Sequence, residues 1–306
     1  MVAPSGEQYE IRHDGYRAVV TESGAALRSL EYDGRPLLDG FGEDEMSSGG
    51  RGQLLMPWPN RIEDGAYSFD GRDLQLPLTE PTRRNASHGL ARWVAWTLEE
   101  HTTSSVSLVY RLMAQTGYPW SLDLHVLYDL SADGLTVTQT ATNLATAPAP
   151  YACGAHPYLT VGAGPVDDWE LTLPAATRAL ASAERLLPTG VEDVEGTPYD
   201  FRVSRPVKGT VFNHAFTDLD RDDDGHATVV VRGASRGVAL WVDHGVRWLQ
   251  VYTADDVPTS ARRSLAVEPM SAQANAFRTG QDLVTLAPAG QDGDEFSLSW
   301  GIRAAG

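Results

Sequence analysis

The sequence predicts an all-β protein built as one large antiparallel β-sandwich. Three observations predict it: apolar and polar residues alternate in many short segments, Gly-bearing turn signals separate those segments, and helical periodicity is scarce. Alternation with period 2 places every second side chain on one face of a strand, which suits a half-buried sheet. Many short strands with frequent turns suit a sandwich.

In chain order, residues 16–20 and 26–32 read as strands around a Ser23-Gly24 turn, with Asp33-Gly34 as the next turn. Residues 67–69 lead into an Asp70-Gly71 turn. Residues 105–111 (SVSLVYR), 121–128 (SLDLHVLY) and 135–141 (LTVTQTA) alternate most clearly. Ser131-Ala132-Asp133-Gly134 joins the last two as a hairpin turn, with Gly where φ must be positive. Residues 175–187 (AATRALASAERLL) hold fair helix formers between Pro174 and Pro188, and read as a weak helix or a loop. The acidic run 220–224, interrupted by Arg221, reads as an exposed turn ending at Gly225. Residues 228–232, 238–242 and 248–252 read as short strands, and 296–300 as a closing strand.

The chain has 306 residues, 42% of them hydrophobic and 21% charged, enough for a sizeable core. No repeat, low-complexity tract or Gly/Pro-rich linker divides it, so a single domain over residues 1–306 is expected. The formal net charge of −17 argues against nucleic acid and anionic membrane surfaces, which are bound by clustered Lys and Arg. A neutral ligand such as a sugar is indifferent to that sign. One cysteine, Cys153, excludes an internal disulfide and gives no reason to expect an oxidising compartment. The first sixteen residues lack the basic and apolar regions of a secretory signal, and no apolar run is long enough to span a bilayer. A cytoplasmic protein, monomer or homodimer, is the expectation.

Four clusters set polar residues among apolar, Pro or Gly neighbours. They are Met56-Pro57-Trp58-Pro59-Asn60-Arg61-Ile62, Ser87-His88-Gly89-Leu90-Ala91-Arg92-Trp93, Gly154-Ala155-His156-Pro157-Tyr158-Leu159 and Leu265-Ala266-Val267-Glu268-Pro269-Met270. The bland reading of the first is a loop entering a hairpin, with Arg61 in a surface ion pair. A lone histidine among apolar residues is often a satisfied core side chain, yet both histidines here are flanked by Gly or Pro. That context suits a strand end or loop facing a cleft. Glu268 ends an apolar run, and a buried carboxylate needs an arginine partner or a ligand. No His-Glu-x-x-His, Cys-His metal spacing, Walker loop or Gly-x-Ser-x-Gly elbow occurs, so no metal or nucleotide cofactor is expected.

Together, and in this order, the four clusters resemble the aldose 1-epimerase family, and the form of the motifs is nearer a bacterial branch than the galactose mutarotases best known in it. The resemblance covers about residues 16–300. It implies a β-sandwich of the galactose mutarotase type with a sugar cleft on one sheet. It implies Glu268 as general base and His156 as general acid. It implies Asn60, Arg61, His88, Tyr158 and Gln250 as sugar-binding positions, and no cofactor. Alternation would place Tyr252 on the strand face of Gln250. In Phe212-Asn213-His214-Ala215-Phe216, Asn213 stands where the family commonly has a sugar-binding aspartate. An asparagine still accepts and donates, but supplies no charge-assisted hydrogen bond.

The implied chemistry opens and recloses a hemiacetal ring. The O1 proton leaves, O5 gains one as C1–O5 breaks, and rotation about C1–C2 exposes the other aldehyde face. A carboxylate and a histidine suffice for this. Two rivals remain at this stage. One is a hexose-6-phosphate 1-epimerase, for which Arg83, Arg84 and Arg92 lie together in sequence and for which the His88-to-Trp96 pattern is also close. The other is a non-catalytic carbohydrate-binding protein on the same scaffold. A glycosidase fits less well, because no second carboxylate partner for Glu268 is evident.

Overall fold

The structure, a computed structural model, describes residues 2–162 and 164–306. Two large antiparallel sheets dominate it, one of nine strands and one of eight. Their facing side chains form one continuous apolar core, which takes Val126 and Val137 from the nine-stranded sheet and Leu249, Val251 and Val267 from the eight-stranded one. This is the expected sandwich. A four-stranded sheet runs from Gln8–His13 to Arg35–Pro36, and the one α-helix among the described residues is Ala276–Thr279.

The strongest alternation makes the centre of the nine-stranded sheet. Strands Ser105–Leu112, Leu122–Ser131 and Gly134–Asn143 pair in sequence, and burial of the last two alternates almost residue by residue. His125 lies on their solvent side, where it meets Glu99. The segment expected to close the sheet is longer and more central than its pattern implied. Glu295–Ala305 runs between Gly134–Asn143 and Gly237–Val242, pairing with both.

Residues 175–187 are neither helix nor loop throughout. Ala175–Ala181 is a strand of the eight-stranded sheet, held between Asn213–Leu219 and Pro188–Asp193. Helix propensity is worth only tenths of a kcal/mol per residue, and two neighbouring strands outweigh it. Pro188 opens the edge strand, where a missing N–H costs no ladder bond. The acidic turn is exposed as expected, but Arg221 reaches inward to the carbonyls of Gly225, Asp243 and Val246.

The eight-stranded sheet positions the site. Strand Trp248–Tyr252 pairs with Leu265–Met270 so that Gln250 faces Glu268. Alternation sends Leu249, Val251 and Val267 into the core and turns Gln250, Tyr252 and Glu268 to the other face. On the far side of Leu265–Met270, Gly154 pairs with Met270 and Tyr158 with Ala266, which sets His156 opposite Glu268. Two strands, and the link between Gly154–Ala155 and Tyr158–Leu159, therefore carry Gln250, Glu268 and His156 side by side.

Candidate active site

On that outer face lies a cleft of about 570 Å³, within the range of small-molecule sites. Asn60, Arg61, His88, His156, Tyr158, Asn213, Gln250 and Glu268 all line it. The structure thus brings together the eight side chains that the resemblance assigned to a site.

At its centre His156 Nε2 lies 3.3 Å from Glu268 Oε1. Both residues are buried, at 5% and 3% exposure. No arginine lies within ion-pair distance of Glu268 among the described residues, so its partner is the histidine rather than a guanidinium. His156 Nδ1 and Glu268 Oε2 have no hydrogen-bond partner among the described residues. Burial pushes the Glu268 carboxyl up to about 8, opposed weakly by the charge of Arg61. Burial, with the charges of Arg92, Arg51 and Arg61, pulls His156 down to about 3. Burial therefore favours a protonated Glu268 beside a neutral imidazole. The two groups titrate as a pair holding one proton across the physiological range.

Asn60 and His88 meet across a two-stranded ladder in which Arg61–Glu63 pairs with Asn85–Ser87. The Asn60 N–H donates to His88 Nδ1 at 3.2 Å, and the His88 N–H donates to the Asn60 carbonyl at 2.8 Å. Because Nδ1 accepts, the neutral ring carries its proton on Nε2. Burial and the Arg92 charge keep His88 well below the usual histidine pKa, so it stays neutral. Both residues hold left-handed backbone, φ 53° at Asn60 and 62° at His88. Non-glycine residues adopt this at a cost of the order of 1 kcal/mol or more, and such outliers collect at functional sites. Gly89 follows with φ 72°, and a Cβ there would lie 2.0 Å from the Met56 carbonyl oxygen.

Three amides extend the polar wall. Asn60 Nδ2 donates to Gln250 Oε1 at 3.5 Å, and Gln250 Nε2 donates to Asn213 Oδ1 at 3.1 Å. Asn213 thus spends its carbonyl on Gln250 and keeps its amide N–H groups for other acceptors. Arg61 grips Glu80 through two nitrogens, at 2.7 and 2.9 Å, and touches Asn60 Oδ1. The ion pair foreseen for Arg61 exists, and it forms part of the cleft wall rather than the open surface.

Reasoning from sequence missed what stands behind His156. The Tyr158 ring stacks on the imidazole at 5.0 Å and 12°, and the Arg51 guanidinium lies over the tyrosine ring at 4.3 Å. Arg51 is 4% exposed and is held by Asp39 and by the Ser48 carbonyl. Asp39 also receives Arg263 and Ser264. Gly50 passes close beneath the ring, where a Cβ would lie 2.7 Å from His156 Cδ2. Gly49-Gly50-Arg51-Gly52 was the available signal, since such a run marks backbone approaching something closely. Tyr252 shares the Gln250 face and lines the cleft, as alternation implied.

The three arginines adjacent in sequence do not converge. Arg83 turns to Glu80 and the Glu184 carbonyl, and Arg84 turns to Asp64. Only Arg92 of the three lines the cleft. Among the described residues no group of three or more His, Cys, Asp or Glu is placed to hold a metal ion.

The aldose 1-epimerase family model matches residues 7–296 of the chain. The Escherichia coli protein designated uncharacterized protein YihR is 35% identical over 283 residues, covering 92% of this chain and 89% of that one. Rat galactose mutarotase is 29% identical over 225 residues, covering 67% and 64%. Among solved structures, a GalM/aldose epimerase homologue from C. elegans superposes with a TM-score of 0.85, at 20% identity over 98% of this chain and 99% of that chain. Galactose 1-epimerase from Lactobacillus acidophilus gives 0.78 at 19% identity, over 96% and 93%. These two likenesses show a shared fold.

Proposed function

Because the chain belongs to the aldose 1-epimerase family, we propose that it interconverts the α and β anomers of an aldohexose by acid–base opening and closure of the ring. The contact between His156 and Glu268 at the base of a sugar-sized cleft carries this reading. In the opening step the O1 proton passes to the Glu268 carboxylate and C1=O1 forms. The C1–O5 bond breaks, and O5 takes a proton from His156. Closure on the other face returns both protons.

The pair needs one proton between its two members. Burial by itself keeps that proton on Glu268. Sugar hydroxyls donating to the carboxylate would favour its ionised form, and the 3.3 Å contact gives the proton a short path to His156. The Nε2–H of His88, the Asn213 amide and Arg61 would hold hydroxyls and limit rotation of the open chain. Tyr158 supports the acid by stacking on it.

The direct test is polarimetry. Purified protein should hasten the decay of fresh α-D-glucose or α-D-galactose, and Glu268→Gln should remove the effect while leaving a folded protein. Sugar binding without acceleration would instead select the non-catalytic reading. The divergence of Arg83 and Arg84 from the cleft weighs against a dedicated phosphosugar enzyme, because a phosphate calls for clustered cations.

A further inference from the structure

Four arginines line the cleft: Arg51, Arg61, Arg92 and Arg263. Three are neutralised there. Arg51 and Arg263 share Asp39, and Arg61 holds Glu80. Arg92 has no carboxylate within ion-pair distance among the described residues, although other carboxylates line the same cleft. Asp256 is engaged by the Tyr252 hydroxyl and Glu45 by the Gly42 N–H.

Arg92 is nevertheless held in place. Its Nη1 donates to Gln53 Oε1 at 3.2 Å, and Gln53, 1% exposed, returns a hydrogen bond from Nε2 to the Arg92 carbonyl at 3.4 Å. The guanidinium sits 5.6 Å over the Trp93 ring. One nitrogen is spent on Gln53, and the rest of the fork has no acceptor among the described residues. Burial without a counter-charge lowers its pKa, as expected of a cation still lacking its partner.

We propose that Arg92 is a subsite for a singly charged carboxylate on the sugar, so that the preferred substrate is a hexuronic acid rather than a neutral hexose. This rests on the reading of His156 as the group that protonates O5. O5 is bonded to C5, and C5 carries C6. The exocyclic group is therefore two bonds from the atom that His156 protonates. Arg92 lines the same cleft as His88 and His156, whose rings lie 5.7 Å apart, and its charge acts on both. A carboxylate matches the planar guanidinium fork in two hydrogen bonds and one unit of charge. A phosphate monoester carries about −1.5 to −2 charges and needs a second cation, which Arg83 and Arg84 do not supply.

The test measures anomer exchange by NMR saturation transfer for D-glucuronate, D-glucose and D-glucose 6-phosphate, with the wild type and with Arg92→Gln. The expected result is a kcat/KM for glucuronate about tenfold or more above that for glucose, with Arg92→Gln lowering glucuronate turnover about tenfold more than glucose turnover. Equal losses on both sugars, or a wild-type preference for glucose, would overturn the subsite. Faster exchange of glucose 6-phosphate than of glucuronate would overturn its single charge. If no sugar is accelerated, the epimerase reading fails, and calorimetry still decides the subsite. Glucuronate should then bind more tightly than glucose and lose that advantage in Arg92→Gln; equal affinities would refute it.

Discussion

His156 Nε2 and Glu268 Oε1 lie 3.3 Å apart, and the second polar atom of each side chain has no partner among the described residues. A buried acid and a buried base left in contact, each with an open position, form a pair whose behaviour is set by a shared proton. Fully satisfied structural pairs do not leave such openings. Four predictions follow from this pair and its surroundings.

The pH–rate profile should show a broad plateau. The pair needs one proton, which is lost as pH rises through the raised Glu268 value of about 8. A second proton blocks the base only as pH falls toward the depressed His156 value of about 3. Activity should therefore hold through neutral pH and fall on the alkaline side near pH 8. An unburied Glu–His pair would instead change between about 4.3 and 6.5. Measuring kcat/KM from pH 4 to 10 distinguishes the two.

Glu268→Gln should lower kcat by about 10²–10⁴ while raising thermal stability. The folded-state value of Glu268 is raised from 4.5 to about 8, so the folded protein holds a proton that the unfolded chain releases. The associated stability is present below pH 4.5 and is lost as pH rises through about 8, at about 1.4 kcal/mol per pH unit before relaxation. Glutamine has no such dependence. The melting-temperature gain of the variant should grow between pH 5 and 8, and a constant gain would contradict the assignment.

Arg51→Met should reduce kcat by about tenfold or more with little change in KM, because Arg51 acts through Tyr158 on the orientation of His156. Removing one of the three cations that depress His156 should also move the acidic limb of the profile to higher pH. Arg51→Lys should restore the limb, since it keeps the charge, and only part of kcat, since it lacks the fork that grips Asp39. A purely structural role would leave the limb unmoved.

Gly50→Ala should impair turnover more than binding. Its φ is +80°, and a Cβ would lie 2.7 Å from His156 Cδ2, so the ring must shift. A displacement of this kind costs on the order of 10²-fold in rate. Kinetics alongside near-ultraviolet circular dichroism would show whether the fold survives while kcat falls.

Alternation and turn chemistry revealed several of the longer strands, because a half-buried strand must repeat every two residues whatever it pairs with. They did not reveal the Ala175–Ala181 strand, whose residues favour a helix locally and are extended by two neighbouring strands. Nor did they reveal that Glu295–Ala305 is central, since order within a sheet is not written in any single strand.

The site divides along the same line. Sequence alone supplied the candidates: polar residues among Pro, Gly and apolar neighbours drew attention to Glu268, His156, Asn60, Arg61, His88 and Tyr158, and the resemblance to the aldose 1-epimerase family gave them roles and added Asn213 and Gln250. Register decided that Gln250, Glu268 and His156 stand in a row, since pairing between distant strands sets which side chains meet. Burial decided the proton, lifting Glu268 and lowering His156, because desolvation depends on everything packed around a group. Only the tertiary structure separated Arg92 from Arg83 and Arg84. Three arginines within ten residues look alike in sequence, and only their neighbours in space show which one still lacks a counter-charge.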